Sequence, residues 1–451
     1  MKNYIKNIFV VLILFFFSLS TKANEISSYI KDSDFELKST VSIFAKDITN
    51  QKIAYKKNEQ KLLNPASTLK LLTFGASYLT LGEKYKFETI LYLDNSNNLY
   101  IKLGADPLLT DSDLYDLFSK LKKIKFDTTK INKIYIDDSI IDKNPYPQCW
   151  MKEDMWPCSR AITPYIVNNN FTSILVKRSS LATKTEIVQN DEYKLPIINE
   201  LVLTDKDSSK HSIEIVKNSP EKSSIITFKG YVNKDENIQL PVLKPEINFM
   251  VKLNKAIEKN EIRYFDDILV KKVPQNAKRL ASVGHSIEDV SKNILYNSDN
   301  FSSEIVFKVA ASKYYNKTAT FEDSIKMFNE IYKDDISEGI RICDASGVSR
   351  TNFVTTEFSV NVLEKLFSKT KLKDLMAEPN NGTLKDRMLF LENNLKAKTG
   401  TLSQMSSISG IVNTKKGNDI IFSIIVQNSP KRKAILKNFE NNVITILYRN
   451  Y

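Results

Sequence analysis

The chain has 451 residues, 42% of them hydrophobic, and a formal net charge of +12 from 65 lysines and arginines against 53 acids. That length is too great for one ordinary domain, and three cysteines are too few to hold the fold with a disulfide framework. A basic surface suits an anionic partner, such as a cell-wall polymer or a membrane surface, but no aromatic-basic motif points to nucleic acid.

In chain order, Lys2 and Lys6 precede the apolar run "IFVVLILFFFSLS", and "TKA" offers small residues at Thr21 and Ala23. This reads as a signal peptide over 1–23 that is cleaved on export to the periplasm or beyond, because the run is shorter than the roughly 20 apolar residues a span needs. "TVSIFAKDI" and "KIAYKK" alternate as strands. A helix is expected from Pro65, with Leu69, Leu72 and Ala76 on one face and an end near Gly82. "FETILYLD" and "LYIKLG" around "NSNN" predict a hairpin, "DSDLYDLFSKLKK" a helix and "KIYIDDSI" a strand. Short polar-apolar alternation over 173–239 predicts a small all-β module. Helical pattern returns in "INFMVKLNKAIEKNEI", from Ile287 through Tyr315 and in "TFEDSIKMFNEIY". Three strands ("LKAKTGTL", "SSISGIVNT", "NDIIFSIIVQN") and the helix "KRKAILKNFENNVITILYRN" close the chain. Two strands at one end and three at the other are expected to form one antiparallel sheet, with the middle inserted.

The chemistry is limited by what is scarce. His211 lies in a polar β segment and reads as a surface residue. His285, in "GHSIE", lacks the glycine that a nucleophile elbow needs after it and reads as a structural loop residue. No metal-binding or phosphate-loop motif is present, so no metal or cofactor is expected. Cys149 and Cys158 are close enough in sequence for a local disulfide, which leaves Cys343 as a buried, small apolar residue. A hydrolase built from this chain must activate its nucleophile with something other than histidine, and lysine is the substitute at hand.

"NPASTLKLLT" places Ser67 three positions before Lys70 at a helix start. The spacing alone is weak evidence, since it recurs at Ser28, Ser119, Ser219 and Ser368. The helix start matters more, because free N–H groups there favour an oxyanion and disfavour an ammonium. A lysine base near neutrality must titrate about three pH units below its free value near 10.4, a cost of about 4 kcal/mol that burial and a neighbouring cation can supply. "NSDN" places Ser298 and Asn300 between two helical stretches. "KTG", which occurs once, puts Lys398 and Gly400 on one strand face and Thr399 on the other, with glycine allowing close approach of a ligand.

In this order, S-x-x-K, S-x-N and K-T-G resemble the motif set of the penicillin-recognising serine enzymes. The blocks "GADPLLT", "HSIEDVSKNILYNSDNFSSE", "DASGVSRTN", "GTLKDRM" and "AKTGTLSQMSSISG" make the chain similar to the D-alanyl-D-alanine carboxypeptidase/endopeptidases among class C low-molecular-mass penicillin-binding proteins. The resemblance implies an α+β fold. A β-lactamase/transpeptidase-like domain (24–90 and 278–451) with a five-stranded antiparallel sheet would be split by an inserted α/β domain (91–172 and 240–277) and a nested β domain (173–239). It also implies a serine D,D-peptidase acting on peptidoglycan stem peptides and acylated by β-lactam inhibitors. Ser67 would be the nucleophile, Lys70 its base and Ser298 the proton relay. Asn300 would bind a substrate amide, and Lys398 and Thr399 the terminal carboxylate, beside Gly400. The N–H groups of Ser67 and Thr401 would hold the oxyanion. Asp154 matches an acidic position that would meet the amino group of the stem-peptide diamino acid, and Arg350 joins the binding set on the same resemblance. Ala345 departs from the family's usual glycine. The rival readings are a β-lactamase-like hydrolase, although no E-x-x-L-N run is present, and a non-catalytic wall-binding scaffold.

Overall fold

A computed structural model describes residues 25–155, 159–178, 185–217, 225–264 and 267–451. The expected signal peptide and Cys158 lie outside the described residues. The chain forms two compact units. Of the described residues, one comprises 25–83, Ser291–Ser303 and Ile325–Tyr451, and the other those within 84–290 together with Glu304–Ser324.

The first unit is built on a five-stranded sheet of β1 (Thr40–Asp47), β2 (Lys52–Lys57), β3 (Leu395–Leu402), β4 (Met405–Asn413) and β5 (Asp419–Gln427). The strand order is β3-β4-β5-β1-β2 and every pairing is antiparallel. The two ends of the chain therefore meet in one sheet, as the alternation at each end predicts. Four helices support the sheet or supply residues to the site: α1 (Leu69–Leu81), α2 (Asn300–Tyr315), α3 (Thr356–Lys369) and α4 (Lys433–Asn450).

Strand periodicity decides what each sheet face does. Val41, Ile43, Ala45, Ala397, Ile408, Val412, Phe422 and Ile424 share one core with Leu436, Phe439, Val443 and Leu447 of α4. The helical residues recur every three or four positions, which gives α4 a single apolar stripe. Burying a side chain such as Phe439, 1% exposed, contributes about 1.5–3 kcal/mol. The alternate residues of β1 carry polar anchors for α3: Ser42 Oγ lies 2.8 Å from Thr356 Oγ1, and Lys46 pairs with Glu364 at 2.6 Å. With its apolar set committed to α4, the sheet keeps Lys398 and Gly400 on the opposite face. That face holds the chemistry.

The second unit contains a mixed sheet in the order Leu269–Val270, Ile134–Asp137, Leu99–Lys102, Lys86–Leu93 and Lys278–Ser286. Helices Asp111–Lys123 and Pro245–Lys259 bury Leu114, Leu117, Phe118, Phe249 and Leu253 in its core. Thr110 and Asp113 form a reciprocal capping box at the start of the first of these helices. The segment from Phe171 to Pro241 forms two three-stranded sheets around a separate core of Ile174, Val176, Phe228 and Leu240. On the strength of these two cores, we propose that 91–172 with 240–277, and 173–239, are separate inserted domains.

Three expectations change. His285 is not in a loop but on the strand Lys278–Ser286, where its Nδ1 lies 2.8 Å from Asp106 Oδ2. That hydrogen bond raises its pKa against the opposing effect of burial. His211 is half-buried and paired with Glu236 rather than free on the surface. Cys343 is half-buried and disulfide-bonded, as is Cys149, so it is not a spare apolar residue. Sequence spacing measures loop length, whereas a disulfide needs Cα atoms within about 7 Å, and the two need not agree.

Candidate active site

Ser67 sits in a short 3-10 turn, Ala66–Thr68, that leads into α1, not in the first α-helical turn that Pro65 suggests. Ala66 has φ 46°, a left-handed conformation that is costly for a residue with a Cβ. The turn is held by its surroundings. Asn64 Oδ1 accepts from the Ala66 N–H at 2.8 Å, and Ser407 Oγ and Thr68 Oγ1 donate to the Pro65 carbonyl at 2.6 and 2.7 Å. Ser67 itself stays half-buried, with its hydroxyl presented at the head of α1.

Lys70 is the second residue of α1 and is fully buried. Its Nζ lies 2.9 Å from Ser67 Oγ, 2.8 Å from Asn300 Oδ1 and 2.6 Å from the Ser346 carbonyl oxygen. Asn300 opens α2, and Ser298, two residues earlier, has φ 60°. This second left-handed residue turns the chain as it enters α2. Lys398 Nζ donates to Ser298 Oγ at 2.8 Å and to the Thr399 carbonyl at 2.7 Å. The three motifs thus meet as two lysine-serine pairs, each N···O contact under 3 Å. All of these residues belong to the first unit.

Lys398 is also fully buried. Burial, reinforced by the charge of Lys70, holds its pKa well below the usual lysine range. A permanent cation waiting for a carboxylate would need solvent or a counter-charge around it. Lys398 instead has Ser298 and the Thr399 carbonyl as hydrogen-bond partners. Gly400 has a steric reason to be glycine. A Cβ there would lie 2.9 Å from Ser67 N and from the Pro65 carbonyl oxygen, and 2.3 Å from Ser407 Oγ. Only glycine lets β3 run so close to the nucleophile turn.

Two further predicted residues lie outside the three motifs. Arg350 is exposed in the turn after Ser349. Asp154 is half-buried in the second unit, in the short helix Lys152–Met155, where its carboxylate accepts from the Met151 N–H at 3.0 Å. Motif reading missed the Ser346 carbonyl and the brace around the nucleophile turn made by Asn64 and Ser407. The Ser346 contact uses a backbone atom and leaves no side-chain signature. Asn64 stands inside the "NPAST" stretch, where an Asx turn before proline is the available clue.

The sequence profile of the D-Ala-D-Ala carboxypeptidase 3 (S13) family matches residues 22–449. The D-alanyl-D-alanine carboxypeptidase DacB of Haemophilus influenzae is 25% identical over 468 aligned residues, which cover 96% of either chain. Penicillin-sensitive carboxypeptidase A of Dictyostelium discoideum is 23% identical, over 86% of this chain and 83% of its own. Among solved structures, penicillin binding protein 4 from Haemophilus influenzae aligns with a TM-score of 0.78 at 22% identity, over 93% of this chain and 99% of its own. The fold is therefore shared across nearly the whole length.

Proposed function

The chain belongs to the D-Ala-D-Ala carboxypeptidase 3 (S13) family and is a serine D,D-peptidase, and on that footing we propose that Ser67 is its nucleophile and Lys70 its general base. The carrying observation is the 2.9 Å contact between Lys70 Nζ and Ser67 Oγ, made by a lysine with no solvent exposure. Ser67 Oγ bonds to the D-alanyl carbonyl carbon while its proton passes to Lys70. The Ser67 and Thr401 N–H groups receive the developing oxyanion. Ser298, paired with Lys398, relays the proton taken up by Lys70 to the leaving amine as the peptide bond breaks, so that Ser298 keeps its hydroxyl and Lys70 returns to the neutral amine. Water then hydrolyses the acyl ester and regenerates the serine.

In this reading Asn300 also accepts from Lys70 and offers its amide to the substrate. Thr399, Gly400 and Thr401 line the edge where the terminal carboxylate docks, and its arrival favours the charged form of Lys398. Asp154 and Arg350 remain in the proposed binding set on the family resemblance. The substrate is the peptidoglycan stem peptide, and a β-lactam acylates the same serine, in keeping with the penicillin-sensitive relative. Export to the periplasm through cleavage after residue 23, and association with the wall or a membrane surface through the net positive charge that remains, belong to the same proposal.

Purified sacculi incubated with the protein should lose D-alanine from pentapeptide stems, lose cross-linked dimers, or both, as read by mass analysis of released muropeptides. Ser67→Ala should leave the sacculi unchanged. A folded wild-type protein that alters neither species would overturn the substrate assignment.

A further inference from the structure

Two of the oxygens that Lys70 Nζ meets are carbonyl oxygens: Asn300 Oδ1 at 2.8 Å and the Ser346 backbone oxygen at 2.6 Å. A carbonyl oxygen can only accept. A neutral amine has two N–H bonds and one lone pair. It satisfies both carbonyls with its hydrogens, and its lone pair is then left for Ser67 Oγ at 2.9 Å. The Ser67 hydroxyl has a competing acceptor in the Ser346 carbonyl, but at 3.5 Å that contact is the weaker one. The pair of carbonyls therefore aims the base. Without the Ser346 carbonyl, the amine could turn a hydrogen toward Ser67 instead.

A backbone carbonyl is only as well placed as the loop that carries it. Asp344, 1% exposed, holds this loop from inside. Its Oδ1 accepts from the Gly347 N–H at 2.8 Å and from Asn352 Nδ2 at 2.9 Å, and its Oδ2 accepts from the Ser349 N–H at 2.6 Å. Asn352 Oδ1 accepts from the Cys343 N–H at 2.7 Å. The loop is tied in turn to the nucleophile, because Asn64 donates to the Ser349 carbonyl at 2.9 Å and accepts from Ala66. Gly347, at φ 78°, packs so close that a Cβ would lie 1.9 Å from the Ala66 carbonyl oxygen. Nucleophile turn, loop and base form one closed ring of contacts.

We propose that Asp344 is a positioning residue for the peptidase reaction: its carboxylate fixes the 344–349 loop so that the Ser346 carbonyl orients the Lys70 lone pair onto Ser67. The proposal rests on Ser67 as nucleophile and Lys70 as its base. A group that only aims the base should change how fast a correctly folded molecule is acylated, not how many molecules can be acylated.

Time-resolved labelling with a fluorescent penicillin separates these quantities as an acylation rate constant, a non-covalent dissociation constant and a final stoichiometry. Asp344→Asn keeps the shape but sets an amide NH₂ against an N–H. It should slow acylation by about 10²-fold while binding and the one-label-per-chain endpoint stay at wild-type values. Should that variant not fold, Asn352→Ala removes the side-chain partner of Asp344 and should slow acylation in the same way. The proposal is overturned if the Asp344 or Asn352 variant acylates at the wild-type rate. It is equally overturned if either variant loses stoichiometry with an unchanged rate. Wild-type protein that takes no label at Ser67 would instead remove the reading beneath it.

Discussion

Lys70→Arg should lose acylation almost entirely, with a rate about 10³-fold below wild type across pH 5 to 9. The substitution keeps a cation and a long side chain, so an electrostatic role alone would survive it. Proton abstraction would not, because a guanidinium does not deprotonate in this range. Geometry adds to the loss. Lys70 has no exposed surface, and its single nitrogen meets three oxygens within 2.9 Å, which a planar fork cannot reproduce. The check is the time course of penicillin acylation for folded variant and wild type at matched concentrations. An arginine variant that acylates as fast as wild type would show that the base lies elsewhere.

Lys398→Met should separate activity from stability. Acylation and turnover should fall by roughly 10²–10³-fold, because Ser298 loses the Nζ that donates to it and, in the proposed mechanism, the terminal carboxylate loses a binding partner. Stability should move the other way at neutral pH. A lysine whose folded pKa lies below its unfolded value near 10.4 binds fewer protons in the fold than in the unfolded chain. Wild-type stability then rises as pH climbs from the lowered value toward that of the unfolded lysine, and the cost of burying Lys398 fades over that window. The Tm advantage of Lys398→Met should be larger at pH 7 than at pH 10. An advantage equal at both pH values would mean that Lys398 carries no buried-charge penalty.

Much of the site was legible because its chemistry sits on side chains at fixed spacing. Ser67 with Lys70, Ser298 with Asn300, and Lys398 with Gly400 are each one local motif. Strand alternation also told that Lys398 and Gly400 would share a face. The single sheet made from both chain ends followed from two alternating strands before Pro65 and three after Asn394. What escaped notice is backbone and long-range. The left-handed turns at Ala66 and Ser298 carry no glycine to announce them. The Ser346 oxygen belongs to a residue whose side chain is irrelevant to the contact. The burial of Lys398 depends on strands and helices brought together from distant parts of the chain, and a lysine in a strand pattern gives no hint of it. Cys343 misled for the same reason, since its chemistry depends on what the fold brings near it.

The central claim is that Ser67 forms the covalent acyl bond. Intact-mass analysis followed by peptide mapping after exposure to a penicillin tests it most directly. The expected result is one penicilloyl adduct per chain on the peptide containing Ser67, with none on Ser67→Ala. An adduct that persists in the alanine variant, or that maps to Ser298 or another serine three residues before a lysine, would contradict the account.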